Sequence, residues 1–179
     1  IGVPLKLKGG IGNAALYIRG KTKSVIYKNN LPNYGVFDEK RIFIPGPSYN
    51  CIKFKGKRLG LMICEDSWKK PSEPTLHHST YPDLSFSNSV DGMVILQASP
   101  FQFPSYRSEQ ISALAQHYEC PIISVNQVGG YDDLLFDGQS QVINQWGHVC
   151  TQLPAFTESL KTISLNNLTP SSSRPISDI

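Results

Sequence analysis

One cysteine in this chain has a context suited to chemistry. Cys64 closes the apolar run Gly60-Leu61-Met62-Ile63 and is followed by Glu65, Asp66 and Trp68. A residue at the end of a buried strand points out of the sheet into the crevice beyond, where open α/β folds place their sites. A thiol there serves as a nucleophile when a base takes its proton and a nearby cation stabilises the thiolate. The competing reading is a small buried hydrophobe. Lys28 is the second candidate. It follows an apolar run and precedes Asn29-Asn30-Leu31-Pro32-Asn33-Tyr34. A lysine held at a strand end by a rigid Leu-Pro turn presents a fixed positive charge to an oxyanion. Taken alone, it reads rather as a solvated surface lysine.

Other polar groups carry less. Asp38-Glu39-Lys40-Arg41 reads as a charged loop, and Asn126-Gln127 and Asp137-Gly138 as turn chemistry at strand ends. Gly129-Gly130 is followed by no lysine or helix-opening pattern, so it is not a phosphate loop. His77 and His78 belong to no base-and-nucleophile pattern. The cysteines Cys51, Cys64, Cys120 and Cys150 lie far apart, without C-x-x-C or Cys/His pairing, which argues against zinc.

The elements that must position these residues mix strands with helices. Asn13 to Ile18 and Ser24 to Tyr27 flank Arg19-Gly20-Lys21, a hairpin pattern. Ile1-Gly2-Val3-Pro4-Leu5 reads as a strand already in the core. Lys28 to Gly46 is long and polar, but Tyr34, Val36, Phe37, Ile42 and Phe43 make it a packed loop. Cys51 to Phe54 and Arg58 to Ile63 form two strands around a tight turn, and Met93 to Leu96 a buried-type strand. From Arg107 to Tyr118, Ile111, Leu114, Ala115 and Tyr118 recur at helical spacing. Pro121 to Val125 is a further strand, and Ser140 to Ile143 and Val149 to Leu153 flank a Trp146-Gly147 hairpin turn. The core should centre on Leu61, Ile63, Val94, Leu96, Ile122, Ser124 and Val142, on strands apolar on both faces.

The 179 residues suit one domain, and 40% apolar with 17% charged residues is ordinary globular composition. The net charge of +3 is small. Lys53, Lys55, Lys57 and Arg58 surround Gly56 as a solvated hairpin tip, not a nucleic-acid footprint. Nothing resembles a signal peptide or membrane span, and the composition points to a cytoplasmic protein with reduced thiols. The Ser- and Pro-rich stretch from Thr169 reads as a tail. The first residue is Ile1, and the chain reads as a segment of something longer.

Four segments in order carry a resemblance. They are K-N-N-L-P-N-Y-G-V-F-D-E-K-R (28–41), G-L-M-I-C-E-D-S-W (60–68), A-S-P-F (98–101) and V-N-Q-V-G-G-Y-D-D-L-L-F-D-G (125–138). Together they resemble the nitrilase-like glutaminase domain of glutamine-dependent NAD synthetases, from Ile1 to about Leu160. I-C-E-D alone indicates only the broader carbon–nitrogen hydrolase superfamily. The resemblance implies an α+β fold, the nitrilase-type α-β-β-α sandwich, incomplete at the N-terminus. Residues 1–160 would form the partial domain and 161–179 a tail towards a synthetase domain outside this chain.

It also implies a Glu–Lys–Cys triad that hydrolyses the side-chain amide of L-glutamine through a thioester. Cys64 matches the nucleophile, Lys28 the lysine and Glu39 a second, positioning glutamate. Tyr34, Glu65 and Ser99 match glutamine-binding positions. Ser105 stands about where the family often has a basic contact, with Arg107 two residues on. The triad glutamate lies upstream of the segment matching Ile1, and no acid here precedes Asp38. The resemblance therefore implies that these residues alone turn over glutamine poorly, while the parent protein feeds ammonia to amidation of deamido-NAD. No metal or cofactor is implied for this domain; ATP and Mg serve the synthetase domain. Expected partners are that domain and further copies of the chain. The alternatives are a stand-alone amidase of the superfamily, and a catalytically dead fragment that packs against partner subunits.

Overall fold

The computed structural model describes residues 1–47, 50–68, 90–102, 105–164 and 166. Alternating side chains build its first sheet. Strands β1 (Gly2–Leu7), β2 (Gly10–Arg19) and β3 (Thr22–Tyr27) pair antiparallel in the order β1-β2-β3. Ala15 and Ile26 point to a buried face, while Ile11, Ile18 and Val25 are exposed. β1 is an edge strand with alternate residues exposed, not the core strand its apolar composition suggests. Its outer edge has no partner strand among the described residues.

The second sheet has six strands in the order β11-β10-β7-β6-β5-β4. β4 (Asn50–Phe54) and β5 (Lys57–Ile63) form a hairpin around Lys55 and Gly56, at φ 49° and 81°. Two successive positive φ values match the right-handed twist of the flanking strands, which is why glycine sits there. β5, β6 (Gly92–Gln97) and β7 (Ile122–Asn126) run parallel. Between β6 and β7 lies the helix α2 (Arg107–His117), preceded in the chain by the short helix α1 (Glu39–Ile42). β10 (Gln141–Ile143) and β11 (Val149–Gln152) extend the sheet antiparallel. β8 (Val128–Tyr131) and β9 (Leu134–Asp137) make a separate ribbon that sequence periodicity missed.

Alternation along β5 and β6 splits the core into two layers. Met62, Met93 and Ile95 join Ile122 and Ile143 under Ile111, Leu114 and Ala115 of α2. Leu59, Leu61 and Ile63 face the other way, onto Ala15 and Ile26 of the first sheet. The stack is helix, six-stranded sheet, three-stranded sheet, an α+β arrangement. Of the seven expected core residues, Leu61, Ile63, Ile122, Ser124 and Val142 are buried. Val94 and Leu96 are only half-buried, at the margin of the second cluster.

The segment from Lys28 to Gly46 is anchored at different residues than its apolar content suggests. Leu31 and Pro32 are buried and Phe37 and Phe43 half-buried, whereas Tyr34, Val36 and Ile42 are exposed. Backbone bonds at both ends pin it: the Lys28 N–H donates to Asn13 O, and the Gly46 N–H to Lys28 O, both at 2.8 Å. The His77-His78 pair and the tail from 167 onward lie outside the described residues.

Candidate active site

β5 ends at Ile63, and the chain turns at once into a single 3₁₀ turn, Cys64–Ser67. Cys64 takes a left-handed backbone at φ 48°, a strained conformation for a residue with a Cβ. Three bonds hold it. Ser67 Oγ donates to Cys64 O at 2.7 Å, the Trp68 N–H to Glu65 O at 3.1 Å, and the Ile63 N–H to Asp66 Oδ2 at 3.1 Å. The turn leaves the thiol in a cleft of about 920 Å³ lined by residues from both sheets and the loops beyond them. Burial pushes the Cys64 thiol up; the Lys28 charge and the Ala98 N–H pull it back down, while Glu65 raises it further. The resting sulfur is therefore a thiol, and chemistry there needs a base.

Lys28 follows β3 and is 1% exposed, so the surface-lysine reading fails. Its Nζ donates to Glu39 Oε1 at 2.6 Å. A buried ammonium is tolerated where a carboxylate compensates it. Glu39 opens α1 and lines the same cleft; its Oε2 is buried without a hydrogen-bond partner among the described residues. Lys28, Glu39 and Cys64 thus converge.

Asp66 ties the segments that carry Lys28 and Cys64 together, a role that sequence reasoning missed. Its Oδ1 accepts the N–H groups of Asn29 at 3.0 Å and Asn30 at 2.8 Å, directly after Lys28. Its Oδ2 holds Ile63, directly before Cys64. Burial lifts its carboxyl to about 6, against the pull of these N–H groups and of Lys28. Asn30 Nδ2 adds a bond to Glu65 O at 3.0 Å.

The remaining expected residues surround the same cleft. The Tyr34 hydroxyl donates to Glu65 Oε1. Burial raises the Glu65 carboxyl, with the Tyr34 bond and Lys28 opposing. Ser105 is exposed at the rim. Ser99 follows β6, and Arg107 behind it is buried and paired with Asp137 at 2.8 Å. Each guanidinium nitrogen of Arg107 donates to an acceptor within the protein, and the residue also lines the cleft. Asp137 and Asn126, read from sequence as turn residues, are buried beside it. The V-N-Q and F-D-G motifs that contain them were the available signal. Among the described lining residues the acids are Glu39 and Glu65, and both are engaged, with Lys28 and Tyr34.

A family model described as carbon-nitrogen hydrolase matches residues 1–172. The chain belongs to the carbon-nitrogen hydrolase family. Within that family it is 39% identical over 150 residues to the glutamine-dependent NAD(+) synthetase of Acinetobacter baylyi, covering 83% of this chain and 26% of that protein. It is 37% identical over 157 residues to the Thermotoga maritima enzyme of the same name, covering 86% and 26%. The carbon-nitrogen hydrolase thus spans about a quarter of the length of these relatives. The solved glutamine-dependent NAD+ synthetase of Acinetobacter baumannii, in complex with ADP, superposes with a TM-score of 0.75 at 38% identity, over 88% of this chain and 29% of that one. A carbon-nitrogen hydrolase superfamily protein of Xanthomonas campestris, 21% identical with a TM-score of 0.72 over 93% of this chain and 62% of that one, shares the fold. The expected nitrilase fold is the one observed.

Proposed function

We propose that this chain carries the glutamine-hydrolysing site of a glutamine-dependent NAD synthetase, with Cys64 as nucleophile. The observation that carries the proposal is the buried Lys28–Glu39 pair beside Cys64 in one cleft, in a chain 39% identical to such an enzyme. The Cys64 thiolate attacks the side-chain amide carbon of glutamine, forming a C–S bond and a tetrahedral oxyanion. Lys28 Nζ and the Glu65 N–H, at the start of the 3₁₀ turn, stabilise that oxyanion. The C–N bond breaks as nitrogen takes up a proton, releasing ammonia and leaving a thioester. Water adds to the thioester, C–S breaks, and glutamate departs with the thiol restored. Glu39 fixes the lysine. The proton carrier is the triad glutamate that the family resemblance implies.

Tyr34, Glu65, Ser99 and Ser105 form the glutamine-binding wall. The ammonia serves amidation of deamido-NAD by the synthetase part, where ATP and Mg act. We place the protein in the cytoplasm as a homo-oligomer. Cys64, Cys120 and Cys150 in thiol form support the first part, and no helix of the described residues is long and apolar enough to cross a membrane.

The test uses the full gene-encoded protein. Glutamate release from glutamine should fall on the order of 10³-fold or more in Cys64→Ser, while added ammonia still supports NAD formation. Glutamine turnover that survives the substitution rejects Cys64 as the nucleophile.

A further inference from the structure

Arg107, Asn126 and Asp137 form a buried polar cluster that the reaction scheme above does not use. Asp137 is 0% exposed, Asn126 6% and Arg107 8%. They come from three elements: the end of β9, the end of β7 and the first residue of α2. Asn126 and Arg107 converge on the peptide of Ser99, and Asp137 bonds both of them. Asn126 Oδ1 accepts the Ser99 N–H at 2.9 Å, and Asn126 Nδ2 donates to Ser99 O at 3.2 Å. One amide side chain thus clamps both backbone groups of Ser99, as a neighbouring strand would.

The guanidinium of Arg107 does the rest. Nη2 donates to Asp137 Oδ1 at 2.8 Å and reaches Ser99 O and Pro100 O, each at 3.4 Å. Nη1 donates to Gly138 O at 3.2 Å. Gly138 holds φ 67°, and a Cβ there would lie 2.5 Å from Val128 Cγ2, so glycine is required for this carbonyl to face the arginine. Gln139 Nε2 takes the other Asp137 oxygen at 2.8 Å. The charge of Arg107 is therefore paired inside the protein, and each of its three nitrogens donates there.

The last donor decides the chemistry. Arg107 Nε donates to Ser99 Oγ at 3.3 Å. A serine hydroxyl has a single hydrogen, and an oxygen that accepts from a cation must aim that hydrogen elsewhere. Among the described residues it donates to none, and Ser99 lines the cleft. The hydroxyl is held as a donor towards the ligand. Lys28 and the Glu65 N–H already serve the amide oxygen, and Tyr34 with Glu65 presents acceptor oxygens suited to an ammonium. The ligand group left for Ser99 is the α-carboxylate.

We propose that Arg107 is a positioning residue that acts through Ser99, holding its hydroxyl as the hydrogen-bond donor that selects amides bearing an α-carboxylate. This rests on the glutaminase reading. It assigns Arg107 no contact with substrate. It also assigns the buried Arg107–Asp137 pair a part in specificity beyond joining β9 to α2.

The experiment compares L-glutamine with 4-aminobutanamide, which is glutamine without its carboxylate, in the full gene-encoded protein. The quantity read is the ratio of kcat/KM on glutamine to kcat/KM on 4-aminobutanamide. Ser99→Ala should lower this ratio on the order of 10–100-fold, mainly through KM for glutamine, the usual loss for one charge-assisted hydrogen bond. Arg107→Met should lower it similarly, and the double variant should fall no further than either alone. Arg107→Lys, which keeps the charge but not the fork, should recover part of the loss. Because Arg107→Met leaves Asp137 unpaired and can impair folding, the Arg107→Met/Asp137→Leu variant, with both charges removed, is measured alongside. Equal losses on both amides, or multiplying losses in the double variant, overturn the proposal and leave Arg107 a structural strut. If the unmodified protein does not turn over glutamine, or its Cys64→Ser variant still does, the glutaminase reading fails first and the proposal falls with it.

Discussion

Asp66 shows how a single carboxylate fixes two chain segments relative to each other. It takes backbone N–H groups from the residues beside Lys28 and beside Cys64, so the lysine and the thiol share one reference point. Burial lifts its pKa from 3.8 to about 6. A carboxyl whose folded pKa lies above its unfolded value binds its proton more tightly in the fold. Its contribution to stability is therefore complete below about pH 4 and is lost as pH rises through 6. Denaturant titrations of the protein and of Asp66→Asn should give a stability difference that declines by about 2–3 kcal/mol across that window. A flat difference contradicts the shift. In the sequence Asp66 was visible only as part of I-C-E-D, because its role depends on Asn29 and Asn30, which lie 36–37 positions away in the chain. Cys64 and Lys28 stood out as candidates by type and position at strand ends, but each also had a bland reading, and the family resemblance is what singled them out. Glu39 was legible only through the family resemblance, since a glutamate in a charged run has the same local pattern whether buried or solvated.

At the scale of elements, periodicity located most of the strands and the α2 helix. The hairpins around Gly20 and Gly56 and the helix from Arg107 to His117 announce themselves through local turn chemistry and 3.6-residue spacing. Two features did not. The β8–β9 ribbon is interrupted by Gly129 and Gly130 and exposes Tyr131 and Leu135, so its apolar alternation is weak. Val94 and Leu96 look identical in sequence to Met93 and Ile95, but α2 covers one face of β6 and the three-stranded sheet only partly covers the other. Which face of a doubly apolar strand is sealed is set by the neighbouring layer, not by the strand. The α2 layer yields a direct prediction. Leu114 is fully buried among Met62, Met93, Ile95 and Ile122. Leu114→Ala should cost about 2–5 kcal/mol in chemical unfolding, with the upper part expected if the cavity fails to collapse. A loss below about 1 kcal/mol would mean that the helix does not seal this face.

The whole molecule joins two packed sheets and one helix layer around a cleft open at the ends of the parallel strands. The cleft holds Cys64 at φ 48°, a buried lysine paired with Glu39, and Glu65 bonded to Tyr34. Burial raises the Cys64 thiol, so a nucleophilic role for it calls for a base. The family resemblance was legible across nearly the whole chain. The central claim is that Cys64 alone among the four cysteines is the glutamine-reactive thiol. The most direct measurement treats the full gene-encoded protein with a diazoketone analogue of glutamine and locates the adduct by peptide mass spectrometry. The account predicts one adduct, on Cys64, suppressed by excess L-glutamine and absent in Lys28→Ala, where the oxyanion support is gone. An adduct on Cys51, Cys120 or Cys150, or an active protein with Cys64 unmodified at full inhibition, would contradict it.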